Sequence, residues 1–353
     1  MSLRLLGSGG GPEAHIFPPI LSRRRTELHS RTPCPSLSRN ITWTGLALSE
    51  YLSPLGERAA NSTIHNSWEY PGRQGAGNND FSPMDTSNYL AFLREFRNTL
   101  TGQDLILTAA VPIVPFLDAQ GNPSKDLSGF AQVLDYISIM DYDIWGSWSP
   151  AVGPNAPLAD SCADADYRKG SAQSAVNAWR STGFPANKIT LGVAAYGHSY
   201  RVKTSDAFVN NGLSSNQLAA YPPFNAKDQP QGDSWGGSSG VFEFRGLIQG
   251  GFLNEQGTPA QGIYSRVDGC SQTVRVSFMI LGRTYSLTMR DPIPQPYVYN
   301  KDSQVMVSYD DRASFTAKGV YIKQTGLRGF SMWEAGGDYN DLLLDAIRLS
   351  TGI

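Results

Sequence analysis

The chain has 353 residues, 40% hydrophobic and 17% charged, with a formal net charge of −2. That length buries one large core or two smaller ones, and that balance excludes an intrinsically disordered polypeptide. A nearly neutral charge gives no reason to expect nucleic acid or an anionic membrane as partner, and no apolar run reaches the length of a transmembrane helix.

Residues 1–40 carry six arginines and no lysine. They lack the continuous apolar stretch of a secretory signal, and Gly and Pro interrupt any amphipathic helix. A disordered or mis-derived leader is expected there. From Trp68 onward, short apolar runs alternate with helical patterns, which reads as repeated strand–helix units. Strands are predicted over 105–111 (LILTAAV), 136–143 (YISIMDYD), 188–196 (KITLGVAAY) and 328–333 (RGFSMW). Their continuous apolar character predicts burial on both faces, as in a closed parallel barrel.

The helices between them follow from spacing. Asp85-Thr86-Ser87 offers an N-cap to a helix carrying Tyr89, Leu90, Phe92, Leu93, Phe96 and Leu100. Ala172, Ala175, Val176 and Trp179 form a second apolar stripe, closed by Gly183 and Pro185. A helix over 314–325 leads into the last strand, and another over 341–349 turns Leu342, Leu343 and Ile347 inward. Between 197 and 308 the strand–helix period breaks, which predicts an inserted α+β subdomain or a large lid. Within it, residues 274–295 (VRVSFMILGRTYSLTMRDPIPQ) look foreign. They read either as a retained intron or as a genuine surface hairpin.

Three short motifs close the strands: Trp68-Glu69-Tyr70-Pro71, Met140-Asp141-Tyr142-Asp143 and Met332-Trp333-Glu334. Together they resemble the active-site strand ends of the chitinases of glycoside hydrolase family 18. That family writes its acid strand as Asp-x-x-Asp-x-Asp-x-Glu before Tyr-Pro. Here Glu69 is kept, while Ser67, His65 and Ser62 stand where the three Asp residues would be. The resemblance covers roughly 68–273 and 296–353, with a weaker patch at 41–64.

It implies an α/β fold: an incomplete TIM (β/α)8 barrel with an α+β insertion subdomain before the last strand. The barrel parts would be 41–196 and 309–353, with no counterpart of the first two strands. It also implies hydrolysis of β-1,4-linked N-acetylglucosamine polymers with retention, the substrate's own acetamido oxygen attacking the anomeric carbon. By the same resemblance Glu69 is the proton donor and Tyr142 contacts the acetamido oxygen. Asp143 binds sugar over Met140, and Trp333 is the floor of the subsite. Trp68, Tyr70, Trp145 (with Trp148), Tyr196, Tyr309 and Asp310 would complete the cleft. Read without the resemblance, Glu69 is an ordinary strand-end Glu, Tyr142 a half-buried Tyr, and Trp333 core.

No cofactor or metal is expected, because His15, His29, His65 and His198 show no ligand spacing. Three cysteines are not a disulfide framework; one bridge, Cys162–Cys270, fits an oxidising compartment and leaves Cys34 unpaired. The implied partner is chitin or chito-oligosaccharides, and the implied setting is extracellular, with a monomer expected. Three readings of function remain at this point. They are a chitinase-type hydrolase, a catalytically inactive chitin-oligosaccharide-binding protein, and a fragment that does not fold stably.

Overall fold

The computed structural model describes residues 48–51, 63–66, 68–75, 80–209, 216–228, 230, 232–234, 240–267, 275–280, 283–288 and 296–352. The expected leader, the 41–47 patch, Ser62, Ser67, His15, His29, Cys34 and Cys270 lie outside the described residues. In chain order come β1 (Leu48–Tyr51), β2 (Thr63–Asn66), α1 (Asp85–Arg97), the short α2 (Leu100–Gln103) and β3 (Ile106–Val111). There follow α3 (Ser128–Val133), β4 (Tyr136–Ile139), α4 (Ala172–Ser181), β5 (Ile189–Ala194) and β6 (Tyr196–Arg201). Next are α5 (Thr204–Ala207), β7 (Val241–Glu243), α6 (Phe244–Gln249), β8 (Tyr264–Val267), β9 (Arg275–Ile280) and β10 (Arg283–Thr288). The chain ends with β11 (Pro296–Asn300), β12 (Val305–Ser308), α7 (Arg312–Thr325), β13 (Gly329–Trp333) and α8 (Leu342–Thr351).

The main sheet has the order β1-β2-β3-β4-β5-β13. It is parallel from β2 to β13, with β1 antiparallel to β2. Five parallel strands linked by helices make an incomplete TIM barrel, as expected. The strands alternate rather than being apolar on both faces. Leu107, Ala109, Val111, Ile137, Ile139, Ile189, Leu191 and Val193 pack in one core with Tyr89 and Leu93 of α1, Phe130 of α3 and Trp179 of α4. Phe315 of α7 and Leu343 and Ile347 of α8 belong to the same core.

The opposite face carries hydroxyls that satisfy one another. Ser138 Oγ lies 2.7 Å from Thr190 Oγ1 and 2.9 Å from Ser331 Oγ, and Thr190 Oγ1 lies 3.0 Å from Ser331 Oγ. His65 Nδ1 lies 2.6 Å from Thr108 Oγ1, its register partner on β3. Buried hydroxyls cost stability only when unpaired, so a ring of mutual bonds makes this polar layer tolerable. The continuous apolar runs hid it, because Ser and Thr fill inward positions on three adjacent strands.

The helix ends follow local chemistry, with one departure. Ser171 and Asp311 cap α4 and α7 in reciprocal capping boxes with Ser174 and Ser314. Asp85 is not an N-cap but the first residue of α1. Its Oδ2 accepts the Ser82 N–H at 2.8 Å and the Gly72 N–H at 3.3 Å. It therefore ties the loop after Glu69 to the helix.

A second, antiparallel sheet has the order β7-β6-β12-β11-β8. One residue, Ala195, separates β5 from β6, so this sheet grows from the C-terminal end of the parallel strands, where barrel sites are built. It returns through Tyr309, Asp310 and Asp311 into α7. β9 and β10 pair with each other and with neither sheet. Their neighbours β8 and β11 pair directly, from Val267↔Pro296 to Tyr264↔Tyr299.

Candidate active site

The sheet ends place three expected residues in one cluster. Tyr142, Tyr196 and Trp333 share a small cluster with Ala156, Ala194 and Val241, and Trp333 is the register partner of Ala194. Glu69, three residues past the end of β2, is half-buried, and burial pushes its carboxyl up. Tyr70 is pushed up to about 12 by burial first and then by the charges of Glu69 and Asp143. Tyr142 is raised by burial, and after that by Asp143, Glu69, Tyr70 and Asp141. Tyr70 and Tyr142 therefore each lie within electrostatic reach of Glu69 and Asp143.

Asp143 is the hinge of that space. Its φ of 57° puts a non-glycine residue in the left-handed region, which redirects the chain just past β4. Asn155, fully buried, holds this turn: its Oδ1 accepts the Asp143 N–H at 3.0 Å. Asn155 Nδ2 donates to the Tyr196 carbonyl at 3.1 Å, and its N–H donates to Ser308 Oγ at 2.9 Å. One side chain and its own amide thus join the ends of β4, β6 and β12. The Asp143 carboxylate accepts twice on one oxygen: Tyr196 Oη donates at 2.7 Å, and His198 Nε2 lies 2.8 Å away. Burial pushes Asp143 up, but the hydrogen bond and charge of His198, with the Tyr196 bond, hold it below its ordinary range.

Trp148 is 63% exposed and meets His198 edge-on at 5.4 Å between ring centroids. Glu243 and Arg245 form an ion pair at 2.6 Å. Burial raises Glu243, Arg245 opposes this, and Glu334 and Asp233 add to it.

Other expected residues stand elsewhere. Trp68 packs its ring 5.2 Å from Tyr89 of α1, against the main core. Trp145 is 1% exposed, covered by Tyr167 and Tyr221, whose rings stack at 4.1 Å. Tyr309 is 2% exposed within the main core, and Asp310 is buried in an ion pair with Lys318. Trp145, Tyr309 and Asp310 therefore present almost no surface to a ligand. Met140 is half-buried behind Tyr142, its N–H bonded to the Val111 carbonyl at 2.8 Å.

Sequence reasoning missed Asn155 and the role of His198. The second was within reach: Tyr196 and His198 alternate on β6 and so share a face. The histidines were compared only with metal-ligand spacing. No group of three or more His, Cys, Asp or Glu side chains with metal-binding geometry occurs among the described residues. Cys162 is disulfide-bonded, and the expected partner Cys270 lies outside the described residues.

The model for glycosyl hydrolases family 18 matches residues 64–338. A "chitinase-like effector" of Moniliophthora roreri is 46% identical over 297 residues, covering 81% of this chain and 66% of that protein. A second protein of that name, from Moniliophthora perniciosa, is 44% identical, covering 81% of this chain and 62% of the other. This chain thus spans less than two thirds of the length of these relatives. Among solved structures, a chitinase from Rhizomucor miehei superposes with a TM-score of 0.65 at 28% identity, covering 81% of this chain and 72% of that one. With Glu69, the Tyr142-Asp143 strand end and Trp333 near the C-terminal ends of the parallel strands, these matches establish that the chain belongs to glycosyl hydrolase family 18.

Proposed function

We propose that this chain binds chito-oligosaccharides in the cleft between Glu69, Tyr142, Asp143 and Trp333 and hydrolyses them little or not at all. The observation that carries this reading is the pairing of an assembled sugar wall with Ser67 two residues before Glu69. Trp333 and Trp148 offer flat apolar faces to pyranose rings. Tyr142 and Asp143 offer a hydroxyl and a carboxylate to sugar and acetamido groups.

In substrate-assisted hydrolysis the acetamido oxygen attacks the anomeric carbon while a carboxylic acid protonates the leaving oxygen. A carboxylate must orient and charge-stabilise that acetamido group. Glu69 supplies the acid, and burial raises its carboxyl, which favours the protonated form that donates. Serine at 67 carries no charge for the second task, and His65 is tied to Thr108. Losing a positioned catalytic group costs on the order of 10² to 10⁴ in rate. The upward shift of Glu69 favours a second reading, slow residual hydrolysis. The relatives named chitinase-like effectors support a family member whose role is not that of an ordinary chitinase. The disulfide at Cys162 supports an extracellular, oxidising setting. We take the binding form to be a monomer.

Titration calorimetry with chitotetraose, together with reducing-end release, tests the proposal. Binding without release is expected from the parent chain. Ser67→Asp is expected to raise hydrolysis, and Glu69→Gln to abolish any that exists. No heat of binding at any oligomer length, or parent turnover comparable with an ordinary chitinase, would overturn it.

A further inference from the structure

One buried charged array has no part in the cleft as described. Asp141, Asp310 and Lys318 are 0%, 1% and 1% exposed. Lys318 Nζ donates to Asp310 Oδ2 at 2.8 Å. Both oxygens of Asp141, and Oδ1 of Asp310, have no hydrogen-bond partner among the described residues. Three orphaned acceptors beside one ammonium are unusual, because buried carboxylates are ordinarily paired.

The array joins three elements. Asp141 follows β4 and immediately precedes Tyr142 and Asp143. Asp310 lies between β12 and α7, and Lys318 lies within α7. Three further titratable groups interact with Asp141. Asp160 comes from the loop after β4 and accepts from Gly170 N–H and Ser171 Oγ at 3.0 Å each. Tyr321 comes from α7, and Tyr142 is its chain neighbour.

We propose that Asp141 is a positioning residue for the carbohydrate site, a fully buried carboxyl without hydrogen-bond partners among the described residues that sets how the end of β4 presents Tyr142 and Asp143. Its effect on ligand rests on the carbohydrate-binding reading above; the coupling to β4 does not. Burial pushes the Asp141 carboxyl up to about 8, with Lys318 opposing and Asp310 and Asp160 reinforcing. At neutral pH it therefore holds its proton and places no second negative charge against Asp310. Ionised, it competes with Asp310 for the Lys318 ammonium, and the turn that carries Tyr142 and Asp143 shifts with it.

The test is a titration of the ¹⁵N-labelled full chain from about pH 6 to about pH 10, beside Asp141→Asn, which keeps the shape but cannot ionise. In the parent, the Tyr142 and Asp143 amide resonances are expected to move together with a midpoint near 8. Chitotetraose affinity is expected to fall about five-fold or more over the same range. In Asp141→Asn both responses are expected to vanish while neutral-pH affinity stays near that of the parent.

An unchanged midpoint in Asp141→Asn, or stationary parent resonances, overturns the proposal. If chitotetraose binds at no pH, the carbohydrate-binding reading fails while the resonances still decide the coupling. Should Asp141→Asn not fold, the neutral pair Asp310→Asn/Lys318→Met supplies the same decision. Its midpoint is expected to move upward, because the Lys318 contribution outweighs that of Asp310. A fixed or lowered midpoint counts against the array.

Discussion

His198 Nε2 and Asp143 Oδ1 stand 2.8 Å apart, and His198 keeps 8% of its side-chain surface while Asp143 keeps 51%. A carboxylate accepts and never donates, so the imidazole must offer its Nε2–H here. The buried ring thus fixes one oxygen of a carboxylate that stays half exposed.

His198→Ala removes one of the two donors on that oxygen. The carboxylate then swings on Tyr196 alone, and chitotetraose affinity is expected to fall on the order of ten-fold. His198→Gln retains a donor at similar reach and should recover part of the loss. Calorimetry on the three proteins checks the order parent, Gln, Ala.

The same contact has an acid limit. Asp143 ionises at lower pH in the folded chain than in the unfolded one. Between the two values the unfolded state binds more protons, so stability rises with pH there. The contribution is complete above the ordinary Asp value of about 3.9 and disappears as pH falls through the native value. Urea melts of parent and His198→Ala between about pH 2 and pH 5 should show a steeper acid loss in the parent.

Asn155→Ala strips the side-chain partners of the Asp143 N–H and the Tyr196 carbonyl at once. The loss is expected to be about 2–4 kcal/mol in chemical denaturation, from two buried backbone groups left unpaired. The left-handed turn at Asp143 should relax with it, so ligand affinity falls as well. Asn155→Asp keeps the acceptor and should restore the turn only in part.

Deleting residues 274–295 should leave the fold intact. Val267 and Pro296 already pair across β8 and β11, and the deletion leaves residues 268–273 between them, six residues, a hairpin-loop length. Among the described residues the β9–β10 hairpin pairs with neither sheet, so its removal breaks no strand pairing of either. Circular dichroism and the denaturation midpoint of the deleted chain should match or exceed those of the parent. A collapsed midpoint would show that the hairpin belongs to the fold.

Much of the scaffold was readable because its signals are local. Trp179 declared its helix through the spacing of Ala172, Ala175 and Val176, and its indole N–H duly finds the Pro112 carbonyl at 2.8 Å. Gly183, at φ 95°, ends that helix region where its permissive backbone predicted. The inward hydroxyls of Ser138, Thr190 and Ser331 were not readable, since their partners are 52 to 193 residues away in the chain. Tyr309 and Asp310 misled for a related reason: a Tyr-Asp pair after a strand looks the same whether it faces a cleft or a helix.

By itself the chain of residues determined the strand–helix alternation, a Glu at 69 and the absence of carboxylates at 62, 65 and 67. These are matters of residue type and short-range periodicity. Only the tertiary structure decided which aromatics cluster at the sheet ends and which fill the core. It alone brought His198 and Asn155 to Asp143, and buried Asp141 beside Lys318 and Asp310. Such outcomes depend on which distant surfaces exclude water from a group, and desolvation is set by the packed whole rather than by neighbours in sequence.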